Sequence, residues 1–241
     1  MWSYYGAKTN VIQHYPVPKH DKIIEPFAGT ARYALRYYDR DVLLVDKYEV
    51  IIKIWKWLQQ CSPRDILRLP HMKKGDHVDK FKFDCQEAKD LMGFMIGFMT
   101  ESPRKTATIR LQQRPNTIPY TLNRIASNLF KIKHWEIKHG SYLEIPNQEA
   151  TWFIDPPYQH GGHVYQQSSK NLVFSDLAGW CKNRLGQSIV CETTKADWMD
   201  FKPLAIHKTR TGFQKEAIWT NEPSVFDHKQ LNLFQPEQLA I

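Results

Sequence analysis

Short apolar runs alternate with stretches of helical period for most of the chain. Lys22 to Phe27 is an apolar run of strand length, followed by a small-residue turn and a helix pattern through Ala34, Leu35 and Tyr38. Val42-Leu43-Leu44-Val45 is a second strand, ended by Asp46, and Glu49 to Gln60 has the 3.6-residue period of an amphipathic helix. From Cys61 to Lys133 this alternation stops. Ser62-Pro63 marks the break, Leu91 to Met99 predicts an apolar helix, and a basic segment broken by Pro103, Pro115 and Pro119 follows. Alternation resumes with a strand at Trp135 to His139 and another at Thr151-Trp152-Phe153-Ile154. A helix is predicted at Asp176 to Arg184, a strand at Ser188 to Cys191 and a late strand at Glu216 to Trp219. The pattern predicts an α/β fold on a mainly parallel sheet, interrupted by a mainly helical insertion. The predicted division is a body of residues 1–60 and 134–221, an insertion at 61–133 and a tail at 222–241.

The strand at 151–154 runs directly into Asp155-Pro156-Pro157-Tyr158. Proline removes ladder donors and fixes φ, so the chain must leave the sheet stiffly, holding Asp155 and Tyr158 at the carboxyl end of the strand. That end is where open α/β sheets bind ligands. The turn Pro26-Phe27-Ala28-Gly29-Thr30-Ala31 after the first strand is rich in small residues, which let backbone approach a ligand closely. Asp46, at the tip of the second strand, suits either of two roles: accepting ribose hydroxyls, or capping the helix at Glu49. Near the start, Tyr4-Tyr5-Gly6-Ala7-Lys8 fits an aromatic and cationic clasp on a ligand, or an ordinary helix entry with a solvated lysine. Gln159 to Lys170 is polar, contains Gly161-Gly162 and has no periodicity, as expected of a loop beside a site.

The chain has 241 residues, 42% of them hydrophobic, and a formal charge of +8, which together fit a globular protein with a polyanionic partner. Arg104, Lys105, Arg110, Arg114 and Arg124 concentrate positive charge in the insertion, where they suit nucleic-acid backbone phosphates. Cys61, Cys85, Cys181 and Cys191 have no metal-type spacing, and His160 and His163 lack acidic or thiol partners, so no metal site is expected. Dispersed thiols and the lack of a membrane-length apolar run predict a cytoplasmic protein that spans no membrane.

Pro26-Phe27-Ala28-Gly29 followed much later by Asp155-Pro156-Pro157-Tyr158 resembles the amino-group DNA methyltransferases that use S-adenosylmethionine. Tyr4-Tyr5-Gly6-Ala7-Lys8, the insertion between the two motifs and Lys215-Glu216-Ala217-Ile218-Trp219-Thr220-Asn221 extend the likeness from Tyr4 to Asn221. Their order resembles the alpha group of adenine-specific enzymes, the Dam-like family of bacteria and their phages. The resemblance implies a Rossmann-like methyltransferase sheet of seven strands with one antiparallel edge strand, and an inserted target-recognition subdomain acting on double-stranded DNA. It implies that Tyr4, Lys8, the backbone of Phe27, Ala28 and Gly29, and Asp46 contact the cofactor, and that Asp155 serves cofactor and base together. The family's glycine motif usually ends in Gly where this chain has Ala31, an acid that often contacts the cofactor adenine is replaced near Ser141, and the insertion lacks the family's usual docking pattern.

The chemistry this implies is a direct methyl transfer to the amino nitrogen of an adenine flipped out of the duplex. Asp155 and the Pro156 carbonyl would accept the two amino hydrogens, and Tyr158 would stack on the extruded ring. RNA adenine, the amino group of DNA cytosine, and a non-catalytic DNA-binding protein on the same fold remain alternatives. A dinucleotide oxidoreductase does not fit, because the turn lacks Gly-x-Gly-x-x-Gly. In the tail, Gln230-Leu231-Asn232-Leu233-Phe234 resembles the peptide with which bacterial proteins dock on the replicative sliding clamp. Gln230 would sit at the groove rim, with Leu231, Leu233 and Phe234 inside it; a segment packed on the protein's own core is the other reading.

Overall fold

The computed structural model describes residues 1–2, 4–6, 8, 11–209 and 212–222. Its centre is a seven-stranded sheet: β1 (Lys22–Glu25), β2 (Asp41–Asp46), β3 (Glu136–His139), β4 (Ala150–Ile154), β5 (Gly186–Thr193), β6 (Lys202–Thr209) and β7 (Gly212–Thr220). The spatial order is β3-β2-β1-β4-β5-β7-β6. β1 to β5 pair in parallel, while β7 runs antiparallel to both β5 and β6. The antiparallel strand therefore lies inside the sheet, not at its edge as expected, and β6 covers its outer side. β6 carries no clear strand signal: it opens on Lys202-Pro203, and the ladder to β7 shifts register between Pro203 and Ala205. Proline is tolerated there because β6 is an edge strand and the shift absorbs the missing donor.

Both faces of the sheet are covered. Ile23, Leu44 and Phe153 pack into one apolar cluster, and their strand neighbours Ile24, Leu43 and Trp152 into another. The two-residue period of a strand sends alternate side chains to opposite faces, so strands buried on both sides read as unbroken apolar runs. The first cluster holds α1 (Arg32–Arg36) and α2 (Glu49–Gln60), the latter turning Ile51, Ile54, Trp55 and Leu58 inward. Four more helices come from residues 61–133: α3 (Pro63–Leu67), α4 (Gln86–Gly97), α5 (Arg110–Gln113) and α6 (Thr117–Ala126). α3 starts with a full capping box between Ser62 and Asp65, which explains the sharp restart after the break. This stretch contributes no strand to the sheet. Its residues Leu91, Phe94, Ile118 and Leu122 join the same cluster as Ile23 and Trp55, so its apolar face is continuous with the core. α7 (Phe174–Lys182) covers the other face through Leu177, Ala178 and Cys181. No described helix is long and apolar enough to cross a membrane.

The strand order carries the functional consequence. The chain moves outward from β1 through β2 to β3, then returns to the other side of β1 as β4 and proceeds to β5. A crevice is expected beyond the carboxyl ends of β1 and β4, where the winding direction changes.

Candidate active site

A cleft lies at that point. It encloses about 1170 Å³ of space between atoms, part of it open to solvent. Its lining includes the turn after β1, Asp46 to Tyr48 after β2, Gly140 to Leu143 after β3, Asp155 and Pro157 after β4, and Tyr4, Tyr5, Gly6 and Lys8 from the start of the chain. The topology therefore gathers residues that lie more than 100 positions apart in sequence.

The turn after β1 is braced by the protein's own atoms. The Ala28 N–H donates to the Val45 carbonyl at 3.0 Å, the Gly29 N–H to Asp46 Oδ2 at 2.9 Å, and Trp55 Nε1 to the Gly29 carbonyl at 2.9 Å. Of the backbone groups expected to meet a cofactor, the amides of Ala28 and Gly29 thus already have internal partners. Gly29 has φ +45°, a conformation L side chains rarely adopt, and a Cβ there would sit 3.6 Å from the Tyr4 ring. Ala31 is also left-handed, at φ 45° and ψ 50°, where a side chain costs roughly 1–2 kcal/mol.

Asp46 is not the cap of helix α2, the second of its two expected roles. Helix α2 is capped at Tyr48, without a side-chain cap. Asp46 instead ties the loops together: Oδ2 accepts from Gly29 N–H and Oδ1 from Tyr48 N–H at 2.8 Å. Burial raises its carboxyl above the ordinary range against those two N–H groups. Each carboxylate oxygen can accept a second hydrogen bond and Asp46 lines the cleft, so the expected acceptor role toward a hydroxyl stays open.

The charged centre is Lys8 with Asp155. Lys8 Nζ stands 2.8 Å from Asp155 Oδ1, 3.9 Å from Glu216 Oε1 and 3.2 Å from the Gly6 carbonyl. The solvated lysine of the plainer sequence reading is therefore not found: Lys8 is 8% exposed. Burial opposes its charge, but Asp155 and Glu216 outweigh burial and hold the ammonium above its ordinary range. Burial pushes Asp155 up to about 6, with Lys8 pulling the other way and Glu216 adding to the rise. At neutral pH Asp155 is mostly a carboxylate, able only to accept hydrogen bonds. The Pro156 carbonyl, one residue on, takes no hydrogen bond from the described residues.

Glu216 is the site residue that sequence reasoning did not single out. It lies on β7, is 1% exposed and accepts from the hydroxyls of Tyr15, at 2.7 Å, and Tyr158. Its only sequence signal was a lone acid inside an apolar strand run. Through it Tyr158 is held inward: the Lys8 ammonium stands 4.6 Å from its ring centroid, and the residue is 9% exposed. Neither Tyr158 nor Pro156 lines the cleft, whereas Asp155 and Pro157 do. The aromatic surface that does face the cleft comes from elsewhere. Phe27 and Tyr142 lie 5.3 Å apart at one wall, and Tyr4, Tyr5 and Tyr165 form another, with Tyr165 centroids 6.2 Å from Tyr4 and 5.3 Å from Tyr5. Tyr165 comes from the polar loop after Tyr158, which folds back so that the Gly162 N–H donates to the Tyr158 carbonyl at 3.0 Å.

The predicted cationic face is divided. Arg104, Lys105 and Arg114 are exposed. Arg110 lies 4.0 Å over the Phe98 ring, and Arg124 donates to the Met1 carbonyl while stacking near Tyr120. Gln230, Leu231, Leu233 and Phe234 lie outside the described residues. No cluster of three or more metal-ligating side chains occurs among the described residues. No protein-family model matches the chain, and no curated protein does.

Proposed function

We propose that the chain is an S-adenosylmethionine-dependent amino methyltransferase acting on adenine N6 of DNA. The observation that carries this reading is the placement of Asp155, ion-paired to Lys8, beside the unengaged Pro156 carbonyl at the β1/β4 switch point. Two acceptors fixed on a stiff backbone suit an amino group with two hydrogens to give.

The residues present fit the cofactor. The gap between Gly29 and the Tyr4 ring is one that a Cβ would narrow to van der Waals contact, which leaves a shallow cradle along the turn. Asp46 would offer acceptors for a diol, Phe27 and Tyr142 would flank a planar ring, and the Asp155 carboxylate and the Tyr4 ring, both in the lining, would suit a cationic sulfonium. When bound, S-adenosylmethionine supplies an electrophilic methyl group on a positively charged sulfur. Asp155, which lines the cleft, would accept one amino hydrogen; Pro156 lies outside the lining, so its carbonyl would accept the second only once the turn shifts toward the base, and the two together would bias the nitrogen toward a pyramidal form with its lone pair exposed. Lys8 fixes the Asp155 carboxylate, and Glu216 fixes Lys8 and Tyr158 behind it. Most of the acceleration would come from positioning, because the displacement itself needs no strong base. In the present arrangement Tyr158 supports Lys8, so the extruded ring would stack on the cleft's tyrosines.

The test is methyl transfer from radiolabelled cofactor to mixed-sequence duplex DNA, with the product digested and its modified nucleoside identified by mass. N6-methyl-2′-deoxyadenosine from the wild-type chain, and none from Asp155→Asn, is the expected result. Methylated cytosine, or label appearing only on RNA, would replace the substrate. No transfer to any nucleic acid would remove the proposal.

A further inference from the structure

Arg32 follows the glycine turn directly and lines the cleft. Its Nη2 donates to the Trp2 carbonyl at 2.7 Å. Arg124, from α6, donates through its own Nη2 to the Met1 carbonyl at 2.5 Å. Two guanidinium groups from separate elements therefore hold carbonyls of consecutive residues, whose Cα atoms are only about 3.8 Å apart. Burial and the like charge of Arg124 press the Arg32 guanidinium down to about 10.

No acid answers these charges. Neither arginine forms an ion pair with any described carboxylate, although such pairs join other described residues, as at Lys22–Asp41 and Lys89–Asp79. The Nε of Arg32 and the Nε of Arg124 are both buried and donate to nothing. A buried donor without an acceptor is destabilising, and native proteins leave few of them. A water molecule would answer a donor but not the paired charge. One oxyanion answers both, and the planar fork of arginine matches phosphate geometry closely.

We infer that Arg32 and Arg124 form a binding site for a phosphate group at the rim of the cleft, supplied by a nucleic-acid backbone. The phosphate site stands on the two side chains alone; its nucleic-acid source rests on the function proposed above. Because Arg32 lines the cleft, a backbone phosphate gripped by it would hold the strand next to the cleft. Arg124 thus belongs with Arg32 and not with the exposed residues Arg104, Lys105 and Arg114.

The first measurement needs no variant. Thermal unfolding of the full chain is followed in phosphate and in chloride at matched ionic strength. The midpoint should rise saturably with phosphate beyond its value in chloride, as binding to the folded state alone requires. Arg32→Gln and Arg124→Gln should each abolish that extra rise. The second arm follows duplex DNA binding against salt. Arg124→Gln should lower the slope of log affinity on log salt by about one, whatever the sequence. A phosphate effect lost in the variants with an unchanged DNA slope supports the site and makes a free phosphate ion its source. A wild-type chain that gains nothing from phosphate over chloride overturns the site, as do variants that keep the full gain. Phosphate and DNA responses of the expected size in a chain that transfers no methyl group would leave this site standing and remove the proposed reaction.

Discussion

The hydroxyl of Tyr165 stands 1.9 Å from the point where a Cβ on Gly6 would lie. The loop after β4 and the start of the chain therefore meet only because residue 6 has no side chain. Gly6 is also left-handed at φ +75°, so the position excludes other residues twice over. Gly6→Ala should expel Tyr165 from its place against Tyr5 and widen the cleft. The expected result is a cofactor affinity at least tenfold weaker and a stability loss of about 1–3 kcal/mol. Tyr165→Phe removes the oxygen that clashes. If the contact is direct, Gly6→Ala should cost less in the Tyr165→Phe background than alone, as a double-mutant cycle by calorimetry would read. Additive losses would mean that Gly6 matters for its backbone conformation only.

The ion pair of Lys8 and Asp155 gives a pH dependence with a definite sign. Asp155 must be ionised to accept an amino hydrogen while paired to Lys8, and burial has raised it to about 6. Methyl transfer should therefore be full at neutral pH and fall about tenfold per pH unit well below 6. Lys8 lowers that carboxyl, so Lys8→Met should move the acid limb of kcat/KM to higher pH. Glu216 raises it, so Glu216→Gln should move the limb to lower pH while keeping acceptors for Tyr15 and Tyr158. A fault in packing would lower activity at all pH values alike. Limbs that stay fixed in both variants would show that another group titrates.

Tyr158 gives a prediction at odds with a role as a stacking surface. Its hydroxyl is bound to Glu216 and its ring carries the Lys8 ammonium. Tyr158→Phe keeps the ring and loses the hydrogen bond, so it should cost about 1–2 kcal/mol in unfolding free energy. It should leave the affinity for DNA nearly unchanged. Tyr165→Ala should weaken DNA or cofactor binding, which Tyr158→Phe should not. The two variants measured side by side by chemical denaturation and by DNA titration decide which tyrosine meets the ligand.

How much of this was legible depended on whether the signal was local. Helix α2 was predicted at its observed limits, because its apolar positions recur at helical spacing and the chain breaks at Ser62-Pro63. The stiff exit at Asp155 could be foreseen from two prolines after an apolar run. The start of α7 at Phe174, two residues before the predicted Asp176, was not, because Val173 caps it without a side-chain hydrogen bond. β6 escaped because a proline at its second position and lysines near both ends mask a strand that pairs with β7 alone among the described strands. The site was readable as a set of motifs but not as a set of contacts. That Lys8 turns toward Asp155, and that Glu216 holds both Lys8 and Tyr158, depends on β7 lying beside β5, a pairing between distant segments. The division of the arginines was hidden for the same reason: Arg124 is drawn inward by the carbonyl of Met1, 123 positions away.

Glu25, at the end of β1, is 2% exposed, lines the cleft through its backbone turn, and accepts the Ala34 N–H at 2.6 Å through Oε1. It has no cationic partner among the described residues. Burial pushes it up to about 8, the Ala34 N–H opposes that, and Asp155 adds to it. The folded chain thus holds a proton on Glu25 that the unfolded chain gives up near 4.5. Because the folded value is the higher one, the stabilisation is complete below pH 4.5 and is lost as pH rises through about 8. Glu25→Gln keeps an oxygen for the Ala34 N–H and carries no charge at any pH. Against this variant the wild-type chain should lose on the order of a few kcal/mol between those limits. Urea unfolding of both proteins at several pH values measures the difference directly. A gap that stays constant from pH 5 to 8 would mean that Glu25 is charged in the folded state and is answered by a cation.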